Sequence, residues 1–420
     1  MRIGADLVQI SRIRHLPDPE AFAEKILCPE EKEYYRKKGK RPQTLAGIFA
    51  VKEAAVKCLG KGLGHYAFKE IHLFHDEEGR PELVFEGKAE AYLKRAGLSS
   101  MAVTLSHDGD YAMAICLGMP FSGRKEDPFI PMDRLCLDLH PLLIKREKNG
   151  HKGTFGKVAL IGGSFGMAGS ICLSSQAALR AGSGLSYAIV PAKIGEICQI
   201  KLSEVIVRPI GRSGEERFTS SMGEELLERI EDVDAIGIGP GMGKDPTAAD
   251  FLCTLFEHVD KPMVIDADAI NALSNHPEYL KKGKAFKLLT PHEMEMSRIS
   301  GLSLEEIRKD RKKAAADFAQ KYELGLILKG RGTVAAEGGR IWVNPSGNSG
   351  MATAGAGDVL TGILTALLGR GYDPWTAMRL GPYLHGLAGD LAALDRGEES
   401  LIAGDILEKI PKAFQLMESL

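Results

Sequence analysis

The sequence predicts two units of different class: an α+β domain over residues 1–120, a linker over 121–131, and a three-layer α/β domain over 132–420. Three observations lead there. The chain has 420 residues, more than a single core usually serves. Its apolar pattern changes from alternating segments such as FKEIHLFHD and PELVFEG to uninterrupted runs such as KVALI and PMVI. Alternation suits a sheet with one wet face, whereas uninterrupted runs suit a parallel sheet covered on both. Glycine is also denser in the later part, with 37 residues against 11 before residue 121, and it clusters where strands end. The stretch GMPFSGRKEDPFIP, with three prolines and mixed charge, marks the division.

Taken in order, IGADLVQI reads as an entering strand and LAGIFAVKEAAVKCLG as a helix, with Phe49, Val56 and Leu59 at helical spacing and Gly60 as its cap. FKEIHLFHD and PELVFEG are strands joined by DEEGR, and MAVTLSHDGDYAMAICLG supplies two more across an HDGD turn. The later unit opens with the helix-like DRLCLDLHPLLIKRE. It continues with the strand KVALIGGS, the helix MAGSICLSSQAALRAG and the strands LSYAIVP, VDAIGIGPGMG, PMVIDADAI, KLLTPH, LGLILKGRGTV and GRIWVNP. A long apolar helix, AGAGDVLTGILTALLGRG, starts directly after a glycine loop, so backbone donors and a helix N-terminus converge there.

Composition excludes several function classes. A hydrophobic fraction of 44% is that of a folded chain, and 54 Lys plus Arg against 56 Asp plus Glu leave a net charge of -2. No global field favours nucleic acid or an anionic membrane, so anionic ligands must be held by local sites. Seven cysteines without a CxxC pair give neither a zinc spacing nor a disulfide framework, and read as small hydrophobes. MRIGADLVQISRIRH lacks the apolar core of a signal peptide and no apolar run reaches the ~18 residues of a membrane span, so a cytoplasmic location is expected.

In the first unit Asp6 lies on a strand and Glu53 on the helix 47 residues later; packed together, two carboxylates with room for water suit Mg²⁺. Lys57 shares the face of Glu53 at i+4, and a surface Glu53–Lys57 pair is the competing reading. The run Arg36, Lys37, Lys38, Lys40, Arg41 is either a solvated helix end or a surface for an acidic helical partner.

GADLVQISRI, LAGIFAVKEAAVKCLG and VTLSHDGDYAMAI, in this order, resemble the holo-[acyl-carrier-protein] synthases, small phosphopantetheinyl transferases, over residues 1 to 118. The resemblance implies transfer of 4'-phosphopantetheine from CoA to a serine of apo-acyl-carrier protein, leaving adenosine 3',5'-bisphosphate. It places Asp6 and Glu53 on Mg²⁺, Lys57 on a CoA phosphate and Arg12 against the carrier protein. It also implies a homo-oligomer, an intertwined trimer with sites between subunits. The proton acceptor stays open between Glu53 acting through water and a metal-ordered water; His107 either contacts a ligand or subunit, or braces its turn.

In the second unit Asp358 follows Gly355 and Gly357 at the entrance of the apolar helix, as a helix cap or as a catalytic carboxylate. The loops GGSFG, GPGMG and LKGRGT match neither a P-loop nor the GxGxxG fingerprint. GKVALIGGSFGMAGS, IGIGPGMG, VIDADAIN, LLTPHEMEM, ILKGRGTV and NSGMATAGAGDVLTG together resemble the ADP-dependent NAD(P)H-hydrate dehydratases, enzymes of ribokinase-like fold, over about residues 130 to 415. The resemblance implies that ADP drives dehydration of the (6S) hydrate of NADH or NADPH, giving AMP and phosphate. It places Ala168, Gly243 and His292 on the hydrate, Lys329, Gly330, Arg331, Gly332 and Thr333 on the nucleotide phosphate and ribose, Gly357 on AMP, and Asp358 at the reacting hydroxyl.

His292 read as a satisfied interior histidine stays open. Asp266 and Asp268 either orient water or the nucleotide, or cap the next turn, and His385 is a helix residue near the site. The turn TAGAGD departs from the TGGTGD common in that family and lacks its threonine hydroxyl. An epimerase often fused to such dehydratases has no counterpart here, so a separate NAD(P)H-hydrate epimerase is expected. The rival is a ribokinase-like small-molecule or vitamin-precursor kinase carrying a noncatalytic N-terminal oligomerisation or docking module.

Overall fold

A computed structural model describes residues 2–60, 67–75, 79–120, 136–144, 146–147 and 149–418. The expected linker, 121–131, lies outside the described residues. Spatial contacts divide the chain into an early unit, up to Met132, and a later one, Asp133–Ser419.

The early unit is built on strands β1 (Arg2–Gln9), β2 (Ile71–His75), β3 (Pro81–Phe85), β4 (Leu98–Asp108) and β5 (Tyr111–Pro120). They form one antiparallel sheet in the order β1-β5-β4-β3-β2. The Pro42–Leu59 helix packs on β1 and β5. Pro42 opens it where a missing N–H costs nothing, and Gly60, at φ +83°, ends it in the left-handed region. The approach is close because both surfaces are small: a Cβ on Gly4 would lie 2.0 Å from the Ala54 carbonyl oxygen and 2.4 Å from the Cys58 nitrogen. Ala112, Ala114 and Cys116 of β5 and Ala50, Ala54 and Ala55 of the helix are buried. On the alternate positions Ile3, Leu7, Met113 and Ile115 are exposed, Ile3 by 67%.

One ion pair inside this unit is fully buried. Lys52 Nζ lies 2.7 Å from Glu31 Oε2 and also donates to the carbonyls of Phe68 and Ile71 at 2.8 and 2.7 Å. Glu31 in turn accepts the backbone N–H groups of Cys28 and Leu73. With every polar atom engaged, the pair ties the Pro42–Leu59 helix to β2 and to the start of the Pro29–Lys37 helix.

The later unit carries β6 (Lys157–Ile161), β7 (Leu185–Pro191), β8 (Ile206–Ile210), β9 (Ala235–Ile238), β10 (Met263–Ile265), β11 (Lys287–Leu289), β12 (Gly325–Leu328), β13 (Val334–Glu337) and β14 (Arg340–Val343). Their order is β14-β13-β12-β11-β10-β9-β6-β7-β8, parallel from β12 through β8, with β13 and β14 antiparallel at one edge. Val158, Ala159, Leu160 and Ile161 are each 0% exposed, so both faces of β6 are covered, as the uninterrupted run requires. The loops that leave β6, β9 and β12, together with the N-terminus of the Ala356–Gly369 helix, carry the glycine motifs, and β10 leads into Asp266 and Asp268.

Three differences from the sequence reading have physical causes. The expected helix at 133–147 is, among its described residues, only a 3₁₀ turn, Leu137–Leu142, with Pro141 inside it, which cannot donate a helical hydrogen bond. The segment is held instead by tyrosines: Cys136 N donates to Tyr383 Oη at 3.0 Å and Ile144 N to Tyr372 Oη at 2.9 Å. β8 was not anticipated because Arg208 and Pro209 interrupt its apolar run, which an edge strand tolerates. The buried 23-residue helix Pro374–Arg396 was hidden by Gly381, Pro382, Gly386 and Gly389. No helix among the described residues is long and apolar enough to cross a membrane.

Candidate active sites

In the early unit the close approach set by Gly4 places Asp6 of β1 beside the helix that bears Glu53 and Lys57. Lys57 Nζ donates to Asp6 Oδ1 at 2.9 Å and to the Ala5 carbonyl at 3.2 Å. The lysine thus bridges strand and helix, and this contact, not an i,i+4 pair with Glu53, is what it makes. Its own pKa is raised by that bond to Asp6. Burial, then the neighbouring Asp6 carboxylate, pushes Glu53 upward, only partly offset by Lys57. Two carboxylates facing one ammonium leave a surplus of negative charge in a half-buried position, which fits a hard divalent cation.

Arg12 is exposed on the short helix Ile10–Arg14, whose Ile10 and Ile13 are buried. The HDGD turn is fastened by Asp110, which accepts from Gln9 Nε2, Ser11 N and Ser11 Oγ at 3.1, 2.9 and 2.5 Å and is held below the usual carboxylate range by them. His107 Nε2 lies 3.2 Å from the Gln43 carbonyl at the start of the long helix, so it braces the turn. In the basic run, Lys37 and Lys40 pair with Glu33 and Glu20, both at 2.7 Å, which neutralises part of the patch.

In the later unit a buried charge cluster forms where β10, β12 and two helix starts meet. Lys329, just after β12, donates to Asp266 Oδ1 at 2.5 Å and stands 3.9 Å from Glu295 Oε2. Asp266 is 1% exposed; its other oxygen accepts from Thr361 Oγ1 at 2.7 Å. It therefore occupies the cap position of the Ala267–Leu273 helix without capping it. Asp268 accepts the Gly243 N–H at 2.9 Å.

Asp358 lies in the first turn of the Ala356–Gly369 helix. Burial first and the Asp266 charge second push it up to about 6, against the hydrogen bond from Ser170 and the charge of Lys329. At Gly357 a Cβ would sit 3.3 Å from Lys329 Nζ, a tight contact with the end of that side chain. Lys329 stays protonated because Asp266 and Glu295 outweigh its burial.

The sequence-assigned contacts gather around this cluster. Gly241, in the turn before Gly243, has φ +62°, and a Cβ there would meet the Met167 carbonyl oxygen at 2.9 Å, so the GPGMG loop lies against the start of the Ala168–Arg180 helix. His292 is the N-cap of the Glu293–Ser300 helix: its Nδ1 accepts the N–H groups of Met294 and Glu295, both at 3.1 Å, while Glu295 returns a bond to the His292 N–H. Burial and Lys329 lower its pKa, so the ring is neutral with its proton on Nε2, 3.3 Å from Glu295 Oε1. The ring is satisfied as a cap, but it is not interior: the His292 side chain is 49% exposed, so the reading of a buried core histidine fails.

Beside the cluster opens a cleft of about 1110 Å³ lined by Lys329, Gly330, Arg331, Gly332, Thr333 and Gly357 among others. Its strand-loop wall is held by Arg311, whose guanidinium donates to the carbonyls of Lys329 and Arg331. The wall formed by the 344–348 loop is pinned to the Pro374–Arg396 helix: Gly347 N and Asn348 Nδ2 donate to Asp390 at 2.9 and 3.0 Å. Ala168, Gly243, His292 and Asp358 are not among the residues that line the cleft; Gly243 is bonded to Asp268 and His292 to Glu295, at the cluster beside it. Ser170, Glu295 and Asp390 escaped the sequence reading. Only Glu295 left a signal there, a glutamate three residues after a cap, disguised because the cap is histidine.

A mostly parallel sheet with an antiparallel edge, and a glycine loop feeding a helix whose Ala356 and Gly357 line a nucleotide-sized cleft while its buried Asp358 joins the charge cluster beside it, define the later unit as a ribokinase-like α/β enzyme. Residues 158–412 match the model of the NAD(P)H-hydrate dehydratases, and the chain belongs to that family. Residues 2–116 match the 4'-phosphopantetheinyl transferase superfamily. The chain is 42% identical over 277 residues to a bifunctional NAD(P)H-hydrate repair enzyme of Moorella thermoacetica, covering 66% of this chain and 52% of that one. It is 36% identical over 266 residues to the ADP-dependent (S)-NAD(P)H-hydrate dehydratase of Neisseria meningitidis, covering 62% and 86%. The crystal structure of the ADP/ATP-dependent NAD(P)H-hydrate dehydratase of Bacillus subtilis, co-crystallised with ATP and Mg²⁺, aligns with a TM-score of 0.57 at 27% identity, covering 67% of this chain and 96% of that one. The chain spans about half the length of the bifunctional relatives it matches. These matches favour dehydration over the vitamin-precursor kinase, and a transferase over a noncatalytic N-terminal module.

Proposed function

We propose that the later unit, with its boundary at 132–420, uses ADP to dehydrate the (6S) hydrate of NADH or NADPH, releasing AMP and phosphate. The observation that carries the proposal is Asp358 at the mouth of a glycine loop, held near a pKa of about 6 beside a lysine that stays charged. Asp358 takes the proton of the substrate hydroxyl as the β-phosphoryl group of ADP transfers to that oxygen and AMP leaves. The backbone N–H groups around Gly355–Gly357 and the helix N-terminus bind the transferring oxygens, and Lys329 adds fixed positive charge beside Gly357. Phosphate then departs, pushed by the ring nitrogen, and the neighbouring ring carbon gives up a proton to restore the double bond. Gly330–Thr333 hold the nucleotide; Ala168, Gly243 and the neutral Nε2–H of His292 hold the hydrate.

The early unit, residues 1–120, transfers 4'-phosphopantetheine from CoA to a serine of apo-acyl-carrier protein. Asp6 and Glu53 would hold Mg²⁺, which neutralises charge on the pyrophosphate when bound. Lys57, already at Asp6, would reach a phosphate, and Arg12 would meet the acidic carrier protein. The exposed apolar face of Ile3, Leu7, Met113 and Ile115 supports a homo-oligomer formed through this unit, in keeping with a trimer. A cytoplasmic location, a role in lipid synthesis and a separate epimerase complete the reading. The test is paired: hydrated NADH with ADP must yield NADH, AMP and phosphate in equal amounts, and an apo carrier protein with CoA and Mg²⁺ must gain the phosphopantetheine mass. Failure of either with folded protein refutes that half.

A further inference from the structure

Outside both sites, Cys28, Glu30 and His72 bring one sulfur, one carboxylate oxygen and one ring nitrogen to within 4.8 Å of one another. They come from two elements. Cys28 is the N-cap of the Pro29–Lys37 helix, Glu30 lies in that helix's first turn, and His72 belongs to β2, an edge strand. Cys28 and His72 are 1% and 9% exposed, while Glu30 faces solvent and leaves an entry path.

We propose that Cys28, Glu30 and His72 form a binding site for a thiophilic divalent cation of the zinc type, clamping the Pro29–Lys37 helix to β2. The donor set is one thiolate, one carboxylate and one imidazole, the types zinc prefers, and its two negative charges neutralise a dication. Three protein ligands leave one tetrahedral position for water. Burial pushes the metal-free Cys28 thiol up to about 12, only partly offset by the Glu31 N–H that Sγ accepts at the helix start, so the thiol keeps its proton until a cation displaces it. Glu86 Oε2 lies 3.6 Å from His72 Nε2, a carboxylate close to the imidazole but beyond hydrogen-bond distance. Glu31, next in sequence, is committed to Lys52 and two backbone N–H groups, so it does not compete for the metal. Binding displaces the thiol proton to solvent and forms the metal–sulfur bond, with no change of oxidation state.

Serine is itself a favoured N-cap, so Cys28→Ser removes the sulfur while keeping the helix start. The full chain, stripped with a chelator, is titrated with Co²⁺ and read in the near ultraviolet and visible, then with Zn²⁺ in competition. An oxygen-only site such as Asp6 and Glu53 gives no sulfur-to-cobalt charge-transfer band. The expected result is such a band, saturating at one equivalent and abolished by Zn²⁺. Cys28→Ser and His72→Ala lose it, Cys253→Ser keeps it, and Glu30→Gln weakens it at least tenfold in affinity. Circular dichroism of metal-free Cys28→Ser matching the parent shows that the fold is kept. Absence of the band in the parent, or its persistence in folded Cys28→Ser, overturns the proposal.

Discussion

Replacing Asp358 by asparagine is expected to stabilise the protein while removing its dehydratase activity. The native carboxyl is pushed from 3.8 to about 6, first by burial and then by Asp266. Above that value the folded chain holds an ionised group that the unfolded chain holds in water, so the native state is penalised; below 3.8 both are protonated and the penalty vanishes. Two units at about 1.4 kcal/mol each set an upper bound of about 3 kcal/mol. Asparagine is nearly isosteric and still accepts from Ser170, so Asp358→Asn should gain about 1–3 kcal/mol near pH 8, shrinking to nothing near pH 4. The assay is denaturant unfolding of both proteins across that range, beside turnover of hydrated NADH, which should fall about 10²- to 10⁴-fold. In the parent, activity should decline as pH drops through about 6, where the base becomes protonated. A variant less stable at pH 8, a pH-independent difference, or retained turnover would refute this reasoning.

Other substitutions separate the parts of the account. Lys329→Met leaves Asp266 and Glu295 buried without their cation; it should cost about 3–5 kcal/mol at neutral pH and less in acid, measured by the same unfolding experiment. Lys52→Met should cost a similar amount, whereas Lys52→Met with Glu31→Leu should recover much of it, a double-mutant cycle that reports the isolated charge. Gly4→Ala forces a Cβ into the Ala54 carbonyl, so it should destabilise the early unit by more than about 2 kcal/mol and lower transferase activity with it. His292→Ala should lose about 1 kcal/mol of helix capping and raise KM for the hydrate more than it lowers kcat.

Much of both folds was legible because it rests on period and punctuation. The change from alternating to continuous apolar runs marks the antiparallel and parallel sheets, and glycine after the KVALI, AIGI and GLIL runs marks the loop end that carries the site. Asp6, Glu53, Lys57 and Asp358 were singled out as candidates by their placement and their roles proposed by family resemblance, which alone proposed Lys329; spacing left Glu53 and Lys57 open as a surface pair. What stayed hidden is three-dimensional. No periodicity announces that Asp266 and Lys329, 63 residues apart, share a buried bond, that Ser170 touches Asp358, or that Asp390 fastens a loop more than 40 residues away. Pro141 and the glycine-rich Pro374–Arg396 helix failed in opposite directions: in the first a local breaker prevailed, in the second tertiary burial overrode several.

The most direct test of the central claim is to incubate the full chain with chemically hydrated NADH, ADP and Mg²⁺. Recovery of the dihydronicotinamide near-ultraviolet absorbance is followed while AMP and phosphate are quantified. The account predicts recovery strictly dependent on nucleotide, with one AMP and one phosphate per NADH restored, and none with Asp358→Asn. Nucleotide consumption without NADH recovery, or recovery that survives Asp358→Asn, would contradict it.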